Sequence, residues 1–372
     1  MAADGEMEEP STSDRRQPRH GAGRPGPAPD PLETRLTRDA GVDVPLICGA
    51  MYPCSNPELV AAVSEAGGLG VLQPISLTYV HGHDFREGLR YIRRLTDRPV
   101  GMNALIEASS KTYRRRMERW VDVALDEGVR FFVTSLGNPR WVVEEVHARG
   151  GVVYHDATER KWAEKGLEVG VDGLIAVNAR AGGHPGDRSP AELLEELSDL
   201  GAPVVCAGGV GTPSDFVEAL GMGYDGVQMG TRFIATEECR ASGPYKEAIV
   251  EAGAEDIVRT ERVTGVLVSV IETPYVRSVG TEAGPVAKWM LRHRHTKHLM
   301  RTIYALKSLW QLKRASQDES GERDYWQAGM SVEGVQGVEP AGEIVGRFAA
   351  AARAAAEGFG PDASRGDPGP EA

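Results

Sequence analysis

Only four cysteines are spread over the 372 residues, and no two of them stand in a CxxC spacing. That absence excludes clustered thiolate metal sites and dithiol redox motifs. Cys206 lies inside the apolar run PVVCAGG, where a buried, reduced thiol is expected. Long hydrophobic runs are also missing. No segment approaches the roughly 18 apolar residues of a membrane span, and the N-terminus lacks the apolar centre of a signal peptide. A cytoplasmic protein with no membrane partner is therefore expected. Positive charge is in deficit, with 42 Lys and Arg against 54 Asp and Glu and a net charge of −12, which argues against a nucleic-acid partner. Histidines are few, nine in all. His81 and His83 have i, i+2 spacing but no third ligand at suitable spacing. His293, His295 and His298 lie among lysines and arginines that repel a cation. No metal is expected.

What is present is a regular alternation. Short apolar runs rich in β-branched residues occur at 44–51, 69–74, 99–105, 129–137, 152–157, 173–179, 203–209 and 226–233. They are apolar without alternation, as parallel strands covered on both faces are. Amphipathic stretches at 56–67, 112–128, 139–150 and 213–223 separate some of them, several ending in the glycine expected of a helix C-cap. Ser55 or Asn56, and Thr212, stand where N-caps belong, each close before a proline. Eight strands alternating with helices predict an α/β fold of the (β/α)8 TIM barrel type. An open doubly wound sheet is the competitor, but the first strand ends GAMYPCSNP and has no GxGxxG turn. Residues 1–40 and 359–372 read as disordered tails, 41–276 as the barrel and 326–358 as its closing segment. Residues 263–276 read as an irregular extended stretch. A basic helical insertion over 277–325 acts as a lid or subunit contact, or is a solvated helical pair; a homo-oligomer is compatible with it.

Active sites of such barrels lie at the C-terminal ends of the strands. Glycine turns after the last two strands, CAGGVG with Gly208 and Gly209 and QMGTR with Gly230 and Thr231, suit an approaching phosphate. His184, in AGGHPGD after the sixth strand, suits general acid–base work near neutral pH. The alternative is a loop histidine satisfied by backbone. His155, on the fifth strand, is either a second functional imidazole or a hydrogen-bonded barrel residue.

The motifs PLICGAM, ELVAAVSEAGGLGVL, PVGMN, AGGHPG, PVVCAGGVG, DGVQMGTRF and WQAGMSVEGVQGVEPAGEIVGRF follow one another in the order seen in nitronate monooxygenases, also called 2-nitropropane dioxygenases. The chain resembles that family over residues 42–275 and 326–350. The resemblance implies a flavoprotein oxidoreductase with non-covalent FMN, acting on a small-molecule nitronate with O2 to give a carbonyl compound and nitrite. It places Asn103 and Met51 against the flavin, Gly182 and Gly183 along it, Gly208, Gly209, Gly230 and Thr231 at its phosphate, and His184 as the catalytic base. Three departures stand out. Val177 and Asn178 replace a common Gln–Gly pair, Arg180 replaces a common acidic residue, and Met330 changes the late AGQ-type motif to AGMS. A related barrel group, enoyl-acyl-carrier-protein reductase II, shares the AGGH motif but reduces an enoyl thioester with a nicotinamide donor. A non-redox barrel that binds a phosphate-containing metabolite is a third reading.

Overall fold

The computed structural model describes residues 30–107, 111–262, 267–282, 314 and 325–358. Eight strands, β1 (Leu46–Cys48), β2 (Leu69–Leu72), β3 (Val100–Ile106), β4 (Phe131–Leu136), β5 (Val152–Ala157), β6 (Gly173–Val177), β7 (Val204–Ala207) and β8 (Gly226–Met229), close into one barrel. Every pair is parallel, and β1 with β8 completes the ring through Ile47 opposite Gln228. The expected (β/α)8 barrel is the observed one.

Local chemistry accounts for the helices. Thr212 and Asp215 cap the helix Pro213–Met222 reciprocally, proline opens it, and Gly223 ends it at φ 110. Asn56 occupies the N-cap of Pro57–Glu65 without capping it by its side chain. Its amide instead donates to the Glu238 carbonyl and accepts from the Arg240 amide, tying that helix to the chain after β8. The closing helix Ala341–Gly358 packs Phe348 on Phe216 at 5.6 Å. It stands in the place of the eighth barrel helix.

Inside the barrel, Ile47, Leu69, Val71, Phe131, Val133, Tyr154, Ile175 and Val205 form one apolar cluster. Leu36 belongs to it and comes from a helix, Arg35–Ala40, that the sequence reading assigned to the tail. The tail boundary therefore moves back. Residues 32–40 carry buried Leu32, Leu36 and Ala40, and the Tyr154 hydroxyl donates to Asp39 at 2.8 Å. Six helical residues gave too short a periodicity to read, but burial of Leu36 plugs the barrel where β8 begins.

The stretch after β8 also differs from its reading. Residues 226–233 leave the strand at Met229 and turn into a short helix, Thr231–Ile234. The segment read as irregular contains β10 (Val268–Ile271), paired antiparallel with β9 (Ile257–Thr260), followed by the helix Pro274–Val279. The basic insertion expected within 277–325 lies, for residues 283–324 apart from Arg314, outside the described residues.

Candidate active site

Strand register decides which side chains reach the barrel mouth. Partners across a ladder point the same way, so residues opposite the apolar interior cluster also point inward. Asn103 on β3 lies opposite Val133, Asp156 on β5 opposite Ile175, and Gln228 on β8 opposite Ile47 and Ala207. Asp156 and Gln228 sit toward the C-terminal ends of their strands, and Asn103 at the middle of the longer β3. The buried Asn103 amide has a single long hydrogen bond, 3.5 Å to the Val133 carbonyl. The Gln228 amide and the Asp156 carboxyl have no hydrogen-bond partner among the described residues, and Asp156 Oδ1 is sealed from solvent. A mouth floored by polar groups with unspent hydrogen-bonding capacity fits a planar polar ligand.

His155 belongs elsewhere. It lies opposite Leu174, faces outward toward the helix Arg160–Leu167, and shares a 2.8 Å hydrogen bond with Thr134 Oγ1. Burial pushes its pKa down to about 4, so it is a neutral packing residue. The inward group on that strand is its neighbour Asp156, which the sequence reading passed over. Alternation groups Asp156 with Val152 and Tyr154, but both faces of β5 carry apolar residues, so the sequence did not say which face is inward.

The AGGHPGD loop rises from β6 and is held from both sides. Gly183, at φ 68, accepts from the Ser269 amide of β10 at 2.8 Å. Arg259 of β9 donates to the Ala179 carbonyl at 2.9 Å, the Gly186 carbonyl at 3.0 Å and Asp187 at 3.0 Å. A Cβ on Gly186 would fall 2.4 Å from the Val177 carbonyl and 3.4 Å from Thr158, so the loop folds back over the ends of β5 and β6. Neither Ser269 nor Arg259 announces this role in the sequence. Arg259→Ala is expected to cost about 1–3 kcal/mol and to speed amide hydrogen exchange across 179–188 while leaving the barrel strands protected.

His184 crowns this loop. Its ring makes no hydrogen bond among the described residues. It is exposed to solvent, yet the surrounding protein desolvates it enough to lower its pKa below the usual value. The neutral imidazole therefore predominates at neutral pH.

The remaining residues named from sequence form a contiguous rim. A Cβ on Gly182 would meet the Gly329 nitrogen at 2.9 Å and Thr231 Oγ1 at 3.3 Å, and one on Gly230 would touch Met51 Sδ at 3.4 Å. Thr231 Oγ1 accepts from the Gly329 amide at 3.0 Å, which leaves its own hydrogen to donate. Gly208 and Gly209 adopt φ 120 and 81. The space a Cβ would need is filled at Gly208 by Ala181 and Asn178 and at Gly209 by the Arg180 side chain, each at 2.6 Å. Loop packing thus requires these two glycines whatever else they do. The departures from the family pattern have their own bonds here. Asn178 donates to the Gly208 carbonyl at 2.9 Å and accepts from the Arg180 amide at 2.8 Å, and the Met330 amide donates to the Arg180 carbonyl at 3.0 Å. Asn103 stands apart from this rim, on the floor.

Residues 33–348 match the family model described as nitronate monooxygenase. One relative, from Rhodococcus jostii, is 31% identical over 249 residues, 67% of this chain and 68% of its own; it is named (3aS,4S,5R,7aS)-5-hydroxy-7a-methyl-1-oxo-octahydro-1H-indene-4-carboxyl-CoA dehydrogenase. A probable nitronate monooxygenase of Staphylococcus saprophyticus is 28% identical over 310 residues, 72% of this chain and 86% of the relative. Among solved structures, FabK from Thermotoga maritima superposes with a TM-score of 0.72 at 26% identity, covering 88% of this chain and 98% of that one.

Proposed function

The chain belongs to the nitronate monooxygenase family, a family of flavin-dependent oxidoreductases, and we propose that it oxidises nitronates with FMN and O2. Two nitronates and one O2 give two carbonyl compounds and two nitrites. The observation that supports this reading is the His184 imidazole, neutral and without a hydrogen bond among the described residues, on a loop that folds over the ends of β5 and β6, where Asp156 Oδ1 also lacks a partner.

The mouth fits a flavin through Asn103, Asp156 and Gln228 beneath and Gly182, Gly183 and Met51 at the rim. Gly208, Gly209, Gly230 and Thr231 are the proposed holders of its phosphate. When bound, the flavin supplies the electron acceptor that the side chains lack. The chain's own part is acid–base and electrostatic. Neutral His184 Nδ1 or Nε2 takes the proton from the carbon bearing a nitro group, and the resulting imidazolium holds the nitronate oxygens. Burial favours the uncharged form of Asp156, which spares an anionic substrate the repulsion of a carboxylate in the mouth. The loop clamps from Arg259 and Ser269 keep the imidazole in place.

A second reading is an NAD(P)H-linked reductase or dehydrogenase of a thioester, favoured by the carboxyl-CoA named for the Rhodococcus relative. One titration separates the two. Anaerobic addition of a nitronate to the FMN-loaded protein is expected to bleach the visible flavin absorption, while NADPH leaves it unchanged. Bleaching by NADPH alone would move the assignment to the thioester reading. A protein that takes up no FMN would discard both.

A further inference from the structure

Among the proposed floor residues, Asp156 is the one with a buried polar atom that meets no partner among the described residues. We infer that its carboxyl is a ligand-contacting group, a hydrogen-bond donor from the floor of the mouth to an acceptor atom of the bound flavin ring. The inference rests on the flavin reading above.

Three observations carry it. First, the ladder places Asp156 opposite inward Ile175 and two residues beyond inward Tyr154, so its side chain enters the barrel at the mouth end. Second, Oδ1 is shut off from solvent and meets no donor among the described residues. Buried polar atoms are rarely left without a partner, and those that are call for a ligand, a water or a functional role. Third, the glycine loop bearing His184 folds over the end of the same strand, with the Gly186 position against Thr158. The orphaned carboxyl and the loop that bears the imidazole therefore lie at the ends of the neighbouring strands β5 and β6.

The chemistry suits a donor. No charged group contributes to the state of this carboxyl; burial alone pushes it up to about 7. The titratable side chains nearest along the chain are Tyr154, whose hydroxyl is spent on Asp39 at the other end of the barrel, and His155, which faces the outer helix. With no cation to balance it, the carboxyl keeps its proton on the acid side of about 7 and presents an O–H. On the alkaline side it becomes a bare negative charge under the ring, with nothing left to donate.

The test uses the full chain freed of FMN and titrated with FMN and, separately, poised in redox titrations of the holoprotein. The wild type is expected to bind FMN less tightly, and to hold it at a lower midpoint potential, as pH rises through about 7. Asp156→Asn keeps a donor without a titrating charge, so both quantities should lose their break near that pH. Asp156→Ala should bind FMN about tenfold more weakly on the acid side, as expected of one lost hydrogen bond. Wild-type FMN affinity and midpoint potential left unaltered by either substitution, in variants whose melting is as cooperative as the wild type's, would overturn the inference and leave the flavin reading standing. A wild-type chain that binds no FMN would overturn the flavin reading and the inference together.

Discussion

Replacing His184 with alanine is expected to lower turnover of a neutral nitroalkane by about 10²–10⁴-fold, the usual contribution of a positioned general base. FMN uptake should persist, because the ring makes no hydrogen bond among the described residues, so its loss removes no bonded support from the loop. Preformed nitronate needs no proton abstraction, so its turnover should fall far less. The pH dependence follows from the direction of the shift. Desolvation by the surrounding protein lowers the His184 pKa, and the base works as neutral imidazole. Activity on the nitroalkane should therefore rise through a midpoint on the acid side of the ordinary value of about 6.5 and be level by neutral pH. Steady-state rates across pH with both substrates check this; equal losses on nitroalkane and nitronate would remove the proton-abstraction role.

The second large effect separates the glycines. At Gly208 a side chain meets two costs at once. Its φ of 120 lies where L-residues rarely go, and a Cβ would sit 2.6 Å from the Ala181 nitrogen and from Asn178 Oδ1. Together, strain and overpacking predict a loss of about 2–5 kcal/mol for Gly208→Val. That is a large share of the roughly 5–15 kcal/mol that holds a typical domain folded. Gly230 differs, with φ −115 and only Met51 in ordinary contact. Gly230→Ala should melt within about 1 kcal/mol of the wild type, so any weakening of FMN binding there reports on ligand approach rather than folding. Thermal melts and FMN titrations on both variants give the comparison. Normal stability of Gly208→Val would show that the turn relaxes and that its glycine is not required by packing.

The barrel itself was readable because eight apolar runs and the helices between them are local patterns, each set by about five to fifteen neighbouring residues. The AGGHPGD loop, which does follow β6, was readable for a similar reason. A histidine set among glycines just past a strand has little local structural purpose, and the strand-end rule then places it at the mouth. The sequence by itself thus determined the fold class, the loop that carries the imidazole and the family to which the chain belongs. Other features depended on what meets across space. β5 is apolar along both faces, so alternation could not say whether His155 or Asp156 points inward; the pairing with β6 decided it. The clamps on the AGGHPGD loop come from Arg259 and Ser269, 72 to 86 positions from the residues they hold, and Leu36 closes the far end of the barrel from a helix of six residues. Only the tertiary structure decided these, because a buried carboxyl without a partner and an arginine bonded to distant carbonyls are defined by contacts between segments, and no local periodicity records them.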